Sequence, residues 1–187
     1  MGFIKPTEGN IDINSLDAWA KSSLIKDFTG YLPGELAFNN NNSLKDYINF
    51  LKIFKNDYYE EEYLNKLATF FELDTNIKLK SMSKGMKQKL AIICSVLFKP
   101  KLLILDEPTT GLDPIMQEKF NQLILRLKKE GVTIILCSHI FSEVSKLCDV
   151  VGFIKNGKLL EENQIKDWDL KELEKHFLSL YETKGEF

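Results

Sequence analysis

The stretch LLILDEPTTGLDP, residues 102–114, ends an apolar run on two adjacent carboxylates, Asp106 and Glu107. A buried strand of an open α/β sheet delivers such residues to its C-terminal edge, where phosphate-bearing ligands bind. There an aspartate suits a magnesium ion, because hard cations take oxygen ligands. A neighbouring glutamate can orient or deprotonate a water for in-line attack on a phosphoryl group. Asp106 is therefore the metal candidate and Glu107 the base. Taken alone, an apolar run before Asp-Glu fits a plain buried strand and turn equally well. The neighbours change the weighting: Thr110-Gly111-Leu112-Asp113 follows at once, and Ser138-His139 ends the next apolar run. A histidine closing a parallel strand on the carboxylates' edge could hydrogen-bond a phosphate oxygen whose charge changes during transfer.

A third segment lies upstream, SMSKGMKQKL, residues 81–90. Ser83 and Gly85 at a helix start leave backbone N–H groups free to meet an anion, and Lys80, Lys84 and Lys87 add positive potential. The same residues fit a serine N-cap on a solvated lysine-rich face, and on this segment alone that plainer reading is favoured.

The elements that must position these groups follow from periodicity. Gly9-Asn10 marks a turn, Ile11 and Ile13 alternate as a short strand, and 29–32 is an extended piece stopped by Pro33-Gly34. The opening part otherwise has little pattern. Ser43 with Asp46 forms a capping box before Leu44, Tyr47, Ile48, Leu51 and Phe54 at helical spacing. Asp57 with Glu60 repeats the start signal before Tyr63, Leu64, Leu67 and Phe71. Residues 43 to about 99 thus read as helical, with Ser83 opening a third helix. Strands and helices then alternate as in a parallel sheet: strand 102–105, helix 114–129, strand 132–137, helix 141–147, strand 150–155. Asp113, Pro114 and Gly131 supply cap, first-turn proline and stop for the middle helix. Strand 158–161 returns across Asn156-Gly157, and 170–181 is an amphipathic helix.

Composition narrows the class. The 187 residues suffice for one sizeable core, and a net charge of −2 argues neither for a nucleic-acid footprint nor for an acidic tail. Cys94, Cys137 and Cys148 lack metal-ligand spacing and read as reduced thiols of a cytoplasmic protein. The apolar segment 91–98 is too short to cross a bilayer, and residues 1–8 lack a secretion-signal layout, so a membrane role would come through a partner. The single arginine, Arg126, and the asparagine run 39–42 are compositional bias.

In this order the segments resemble the nucleotide-binding domain of ABC transporters, of the bacterial export type. Ser83-Lys84-Gly85-Met86 stands in the place of the Leu-Ser-Gly-Gly-Gln signature, 102–107 is similar to the Walker B strand, 110–113 to the D-loop, and His139 to the switch histidine. Residues 2–9 look like the segment after the family's P-loop helix, 30–35 like its Q-loop region, and 173–181 like the tail of members that pair with separate permeases. The resemblance implies an α/β, RecA-like P-loop NTPase fold whose parallel sheet carries an inserted helical subdomain. It also implies four regions: 1–35 with the Q-loop region, 36–99 as helical subdomain, 100–162 as Walker B, D-loop and switch core, and 163–187 as C-terminal helix. ATP and Mg2+ would be bound by Glu107 and His139 as catalytic groups and Asp106 as metal ligand. Ser83, Gly85 and Asp113 would act in trans on ATP held by a second nucleotide-binding domain. A permease would hold the dimer at the inner face of the membrane, its coupling helices meeting the part near 36–54.

Two departures limit the carry-over. Gly34 replaces the Q-loop glutamine, leaving Glu35 as the neighbouring candidate toward magnesium. No G-x-x-x-x-G-K-[ST] occurs. The spaced glycines of GFIKNGKL, 152–159, are a decoy, since Leu159 replaces the Ser/Thr and Asn156-Gly157 suits a type I′ hairpin. The fold is thus expected to miss the Walker A strand and loop, with Met1 internal to a longer domain through a truncated gene, a disrupted frame or a misplaced start. Strands 132–137 and 150–155 should flank the missing strand, at a cost of several kcal/mol against a typical total of about 5–15. That predicts poor solubility or marginal folding. The alternatives are a non-catalytic partner or truncated gene product presenting its signature to another subunit, and a DNA-repair-type ATPase head. The last needs long heptad segments, which the sequence lacks.

Overall fold

The computed structural model describes residues 2–38, 43–55, 59–165 and 168–181. The chain divides into two compact units, Met1–Ile135 and Leu136–Phe187.

The first unit opens with a small hairpin, β1 (Asp12–Ile13) against β2 (Leu16–Asp17), and a short helix, α1 (Ser22–Asp27). Neither β2 nor α1 is visible in the sequence pattern, because each is too short to show a period. Asp17 Oδ1 accepts from the amides of Trp19 and Ala20, a local turn that leads into α1. Strand β3 (Thr29–Leu32) then pairs in parallel with β4 (Leu102–Asp106), Thr29 opposite Leu102 and Leu32 opposite Leu105. β5 (Thr133–Cys137) completes a sheet of order β3-β4-β5, with Thr133 N donating to Lys101 O at 3.0 Å. Parallel strands joined by helices make this an α/β fold.

Between β3 and β4 the expected helical stretch resolves into three helices with breaks. The helix α2 (Leu44–Lys55) begins at the predicted capping box: Ser43 Oγ donates to Asp46 Oδ2 at 2.6 Å and accepts from Asp46 N at 3.2 Å. The start signal at Asp57 lies outside the described residues. Helix α3 (Glu61–Phe70) ends at Glu72, whose φ of +52° and the bond from Leu73 N to Ala68 O close the last turn in the left-handed manner that glycine usually supplies. A glutamate gives no such warning in the sequence. After a 3₁₀ turn (Leu79–Ser81), α4 (Lys84–Val96) starts at Ser83, as the spacing predicts.

The core gathers where these helices meet the sheet. Ile25, Leu32, Ile48, Phe71, Leu90, Ile93, Leu103 and Phe120 are all buried, each contributing about 1.5–3 kcal/mol on removal from water. Helix α5 (Pro114–Lys129) turns Met116, Phe120, Leu123, Ile124 and Leu127 inward and stops at Gly131, whose φ is +87°. One contact is unusually close: a Cβ on Gly30 of β3 would lie 2.0 Å from the carbonyl oxygen of Ser95 in α4. Only glycine lets this strand and helix approach so far.

In the second unit, α6 (Phe141–Leu147) follows β5, and β6 (Val150–Lys155) turns back into β7 (Lys158–Gln164). Asn156 and Gly157 have φ of +50° and +73°, as a type I′ turn requires, so the spaced glycines there form a hairpin. β7 runs three residues past the expected 161. Its pair with β6 is a separate two-stranded sheet, so the strands read at 132–137 and 150–155 belong to different sheets. Helix α7 (Leu170–Tyr181) is capped reciprocally by Asp169 and Glu172 and lays His176 and Phe177 near Phe153, with the Tyr181 hydroxyl donating to Ile154 O.

Candidate functional site

Strand β4 buries Leu102, Leu103 and Leu105 and ends at the half-exposed Asp106. Among the described residues the Asp106 carboxylate has no hydrogen bond or ion pair, and a bare glycine faces it: a Cβ at Gly34 would lie 2.9 Å from Asp106 Oδ2. The loop after β3 thus places its backbone directly against the carboxylate. An unpartnered carboxylate at a sheet edge is the hard oxygen donor that magnesium takes, so the residues fit the ion. Glu35 is exposed, and no group of three acidic, histidine or cysteine residues suited to a metal occurs among the described residues.

Glu107 follows with a φ of +48°, the left-handed region that side chains bearing a Cβ rarely occupy and that clusters at functional turns. Thr110 N donates to Glu107 O at 3.3 Å and Leu112 N to Thr109 O at 3.0 Å, so the chain folds tightly into the segment that ends at Asp113. Asp113 caps α5, its Oδ1 accepting from Met116 N at 3.0 Å.

The start of α4 meets this loop at three points. Gln88 is buried and its Nε2 donates to the carbonyl of Pro108 at 2.7 Å. A Cβ at Gly85 would stand 2.9 Å from the Gly111 carbonyl oxygen, and one at Gly111 would stand 3.5 Å from the methylenes of Lys84. Gly111 itself needs a left-handed backbone, with φ of +82°. Ser83 remains exposed at the helix tip, its Oγ accepting from Met86 N at 3.2 Å. The plainer reading of that serine, an N-cap, is therefore true of its geometry, while Lys84 is exposed beside it.

His139 belongs to the second unit. It is exposed just after β5, in a turn held by its neighbours: Ser138 Oγ donates to Glu143 Oε2 at 3.0 Å and accepts from Ile140 N at 3.0 Å, and Glu143 is buried. The hydroxyl bridges across the histidine and fixes the loop that carries it.

The sequence reading named Asp106, Glu107, Ser83, Gly85 and Asp113, which fall in one unit, but not Gln88, Glu143 or the approach of Gly34 to Asp106. Gln88 did carry a signal: it shares the inward face of α4 with Ala91, Ile92 and Ser95, a polar residue at a core position. None of the three cysteines, all among the described residues, forms a disulfide. Enclosure of the Cys94 thiol pushes its pKa up to about 12, which removes it from nucleophilic or metal chemistry. No helix among the described residues is long and apolar enough to cross a membrane.

Over 86 residues the chain is 51% identical to the lantibiotic transport ATP-binding protein SrtF of Streptococcus pyogenes, covering 46% of this chain and 38% of that protein. It is 38% identical over 170 residues to the bacitracin transport ATP-binding protein BcrA of Bacillus licheniformis, covering 87% of this chain and 54% of the relative. The chain thus spans about half the length, or less, of these relatives. A solved ATP-binding subunit of an ABC transporter superposes with a TM-score of 0.83 at 26% identity, covering 94% of this chain and 79% of the other. Such neighbours place the α/β fold among the P-loop ATPase cassettes. The family model described as ABC transporter matches residues 1–110, more than half of the chain, and the chain belongs to that family as an ATP-binding domain.

Proposed function

We propose that the chain acts as the ATP-binding subunit of an ABC transporter and couples ATP binding and hydrolysis to export through a separate permease. The observation that carries this reading is the Asp106-Glu107 strand end, with an unpartnered carboxylate, a left-handed glutamate and a D-loop clamped onto the signature helix. Asp106 would hold magnesium, which neutralises charge building on the phosphoryl oxygens. Glu107 orients the attacking water and accepts its proton, and His139 hydrogen-bonds a terminal phosphate oxygen. Ser83 and Gly85, at the exposed tip of α4, would face ATP held by a second nucleotide-binding domain, with Asp113 along the same interface. Glu35 stays a weaker candidate toward magnesium. Names of relatives that refer to lantibiotic and bacitracin transport support peptide antibiotics as the exported class.

A permease contact has its own support. A cavity of about 450 Å³ opens between the loop after β3 and the helices α2 and α4, lined by Tyr31, Leu36, Phe38, Tyr47, Leu51 and Phe98 among others. Its apolar lining suits the short amphipathic coupling helix of a permease, and such a partner would hold the subunit at the cytoplasmic face of the membrane.

A polypeptide of these 187 residues contains no G-x-x-x-x-G-K-[ST]. Without those backbone amides and lysine the triphosphate lacks its cradle, so this polypeptide alone should not turn over ATP. Steady-state phosphate release tests this: turnover by the purified polypeptide that disappears in Glu107→Gln would refute it. The exposed Ser83 tip also supports a second reading, a non-catalytic partner that presents its signature to a complete subunit. Co-purification with an intact ATPase subunit supports that reading, and nucleotide binding by the lone polypeptide weighs against it.

A further inference from the structure

We infer that Gln88 is a positioning residue for Glu107, and that its side chain joins the first turns of the signature helix and the turn after the Walker B strand into one block. The inference rests on the reading of Glu107 as the base.

Gln88 lies two residues beyond Met86, whose amide is capped by Ser83, and is only 4% exposed. A buried amide of this kind must be satisfied, and its donor goes not to a helical neighbour but 20 residues along the chain, to Pro108 O at 2.7 Å. Pro108 immediately follows Glu107, and proline has no N–H, so the turn cannot be anchored through an amide at that residue. Its carbonyl is the available handle. With that carbonyl held, the left-handed φ of +48° at Glu107 is over-determined from its C-terminal side.

Two further contacts tie the same loop to the same helix. The Gly111 carbonyl oxygen fills the space where a Cβ of Gly85 would be, at 2.9 Å, and the Lys84 methylenes cover Gly111. A rigid displacement of the α4 tip, such as an anion engaging Ser83 would cause, therefore carries Pro108 and Gly111 with it. Position of the signature serine and direction of the Glu107 side chain become one variable. Gln88 needs no contact with nucleotide to do this.

Gln88→Met keeps length and volume and removes the amide, the Nε2 donor with its Oε1. Hydrogen–deuterium exchange on the 187-residue chain should show faster exchange at the Thr110 and Leu112 amides, which close the turn. Amides of β3 and β4 should be unchanged. In a chain preceded by a G-x-x-x-x-G-K-[ST] loop, so that Glu107 has a triphosphate to act on, and assembled with a second copy and a permease, the variant should lower kcat for ATP about tenfold to hundredfold while KM for ATP stays within about twofold, because misplacement acts on the chemical step. Unchanged exchange at Thr110 and Leu112, or an unchanged kcat, overturns the inference. So does a rise in exchange across the whole sheet, which marks Gln88 as a general core residue. Should the variant fold poorly, the unaltered chain decides: with ¹⁵N-labelled glutamine, the Gln88 side-chain amide protons must be protected from exchange, and rapid exchange there refutes the bond. Failure of the ATPase arm in every chain, the unaltered one included, would count against the transporter reading, whereas the exchange arm judges Gln88 by itself.

Discussion

Gly30→Ala should unfold the first unit more readily than any exposed substitution, because of where the new methyl would go. Its Cβ would lie 2.0 Å from the Ser95 carbonyl oxygen, 2.9 Å from Leu103 Cδ1 and 3.0 Å from Pro100 Cγ. A carbon and a carbonyl oxygen sit comfortably at about 3.3 Å, so β3 and α4 must part by more than about 1 Å. Both obstructing partners on the helix side are backbone or ring atoms, and no rotamer change relieves them. Overpacking of a close-packed core costs about 1–3 kcal/mol and occasionally more, and a backbone obstruction on this scale belongs at about 3. For a chain of this size each kcal/mol moves the melting temperature by about 2–4 °C, giving a fall of about 6–12 °C. Circular dichroism melts of the two proteins measure it. Gly131→Asn is the control, since Gly131 also has a special backbone, φ +87°, but nothing stands within 4 Å of a Cβ there, and asparagine tolerates that conformation. A Gly30→Ala melt within about 2 °C of the parent would refute the claim that helix and strand touch through this glycine.

Three other outcomes follow from single side chains. Asn121 is buried on the inner face of α5 with Oδ1 unpartnered, so Asn121→Leu should stabilise the chain by about 1 kcal/mol in a urea titration; destabilisation would mean the oxygen has a partner. At pH 8 a thiol with a pKa of about 12 is ionised in roughly one molecule in 10⁴, so a thiol reagent should label the exposed Cys137 well before Cys94; equal rates would show the Cys94 thiol open to water. The hydroxyl and amide of Ser43 hold the Asp46 carboxyl below its ordinary 3.8, so the cap is complete above pH 3.8 and is lost as pH falls through the lower folded value. Protection of the Ser43 and Asp46 amides, taken relative to an unstructured amide at each pH, should therefore fall only below pH 3.8, and a loss of protection at pH 5 would contradict the cap.

Most of the fold was legible because its elements carry strong local signals. Helix 114–129 has an aspartate cap, a first-turn proline and a glycine stop, and the structure reproduces its bounds as Pro114–Lys129. The Asn156-Gly157 turn defined the second-unit hairpin and exposed the spurious glycine motif. What stayed hidden was decided by groups distant in sequence or by backbone angles that residue type does not announce. Glu72 and Glu107 adopt left-handed conformations with no glycine to signal them. The site's residue types were readable from one short stretch, but its connections were not: Gln88 reaches Pro108 and Gly34 reaches Asp106 only after the sheet has formed. Ile135 of β5 and Ile154 of β6, on the two strands expected to flank the missing one, are largely exposed. Exposed apolar side chains on such strands favour the poor solubility expected from the sequence.

Gly34 shows how the departure from the family pattern works in space. The resemblance assigns that position a glutamine reaching toward magnesium, and the sequence offers Glu35 in compensation. The geometry makes position 34 itself the sensitive one, because its Cβ would meet Asp106 Oδ2 at 2.9 Å and Asp106 Cγ at 3.2 Å. Unlike the carbonyl that opposes Gly30, this obstruction is the far end of a side chain and can rotate. Gly34→Ala should accordingly leave the melting temperature within about 2 °C of the parent, since an exposed site with a yielding neighbour lies inside the usual ±0.5 kcal/mol of surface changes. What it should alter is the direction of the Asp106 carboxylate, and so the magnesium concentration needed for half-maximal ATPase in a transporter assembled from the chain preceded by a G-x-x-x-x-G-K-[ST] loop. A lowered melting temperature with unchanged magnesium dependence would reverse the assignment and make Gly34 a packing residue. The two alanine variants, four residues apart, thus separate what β3 does for the core from what the loop after it does for the carboxylate.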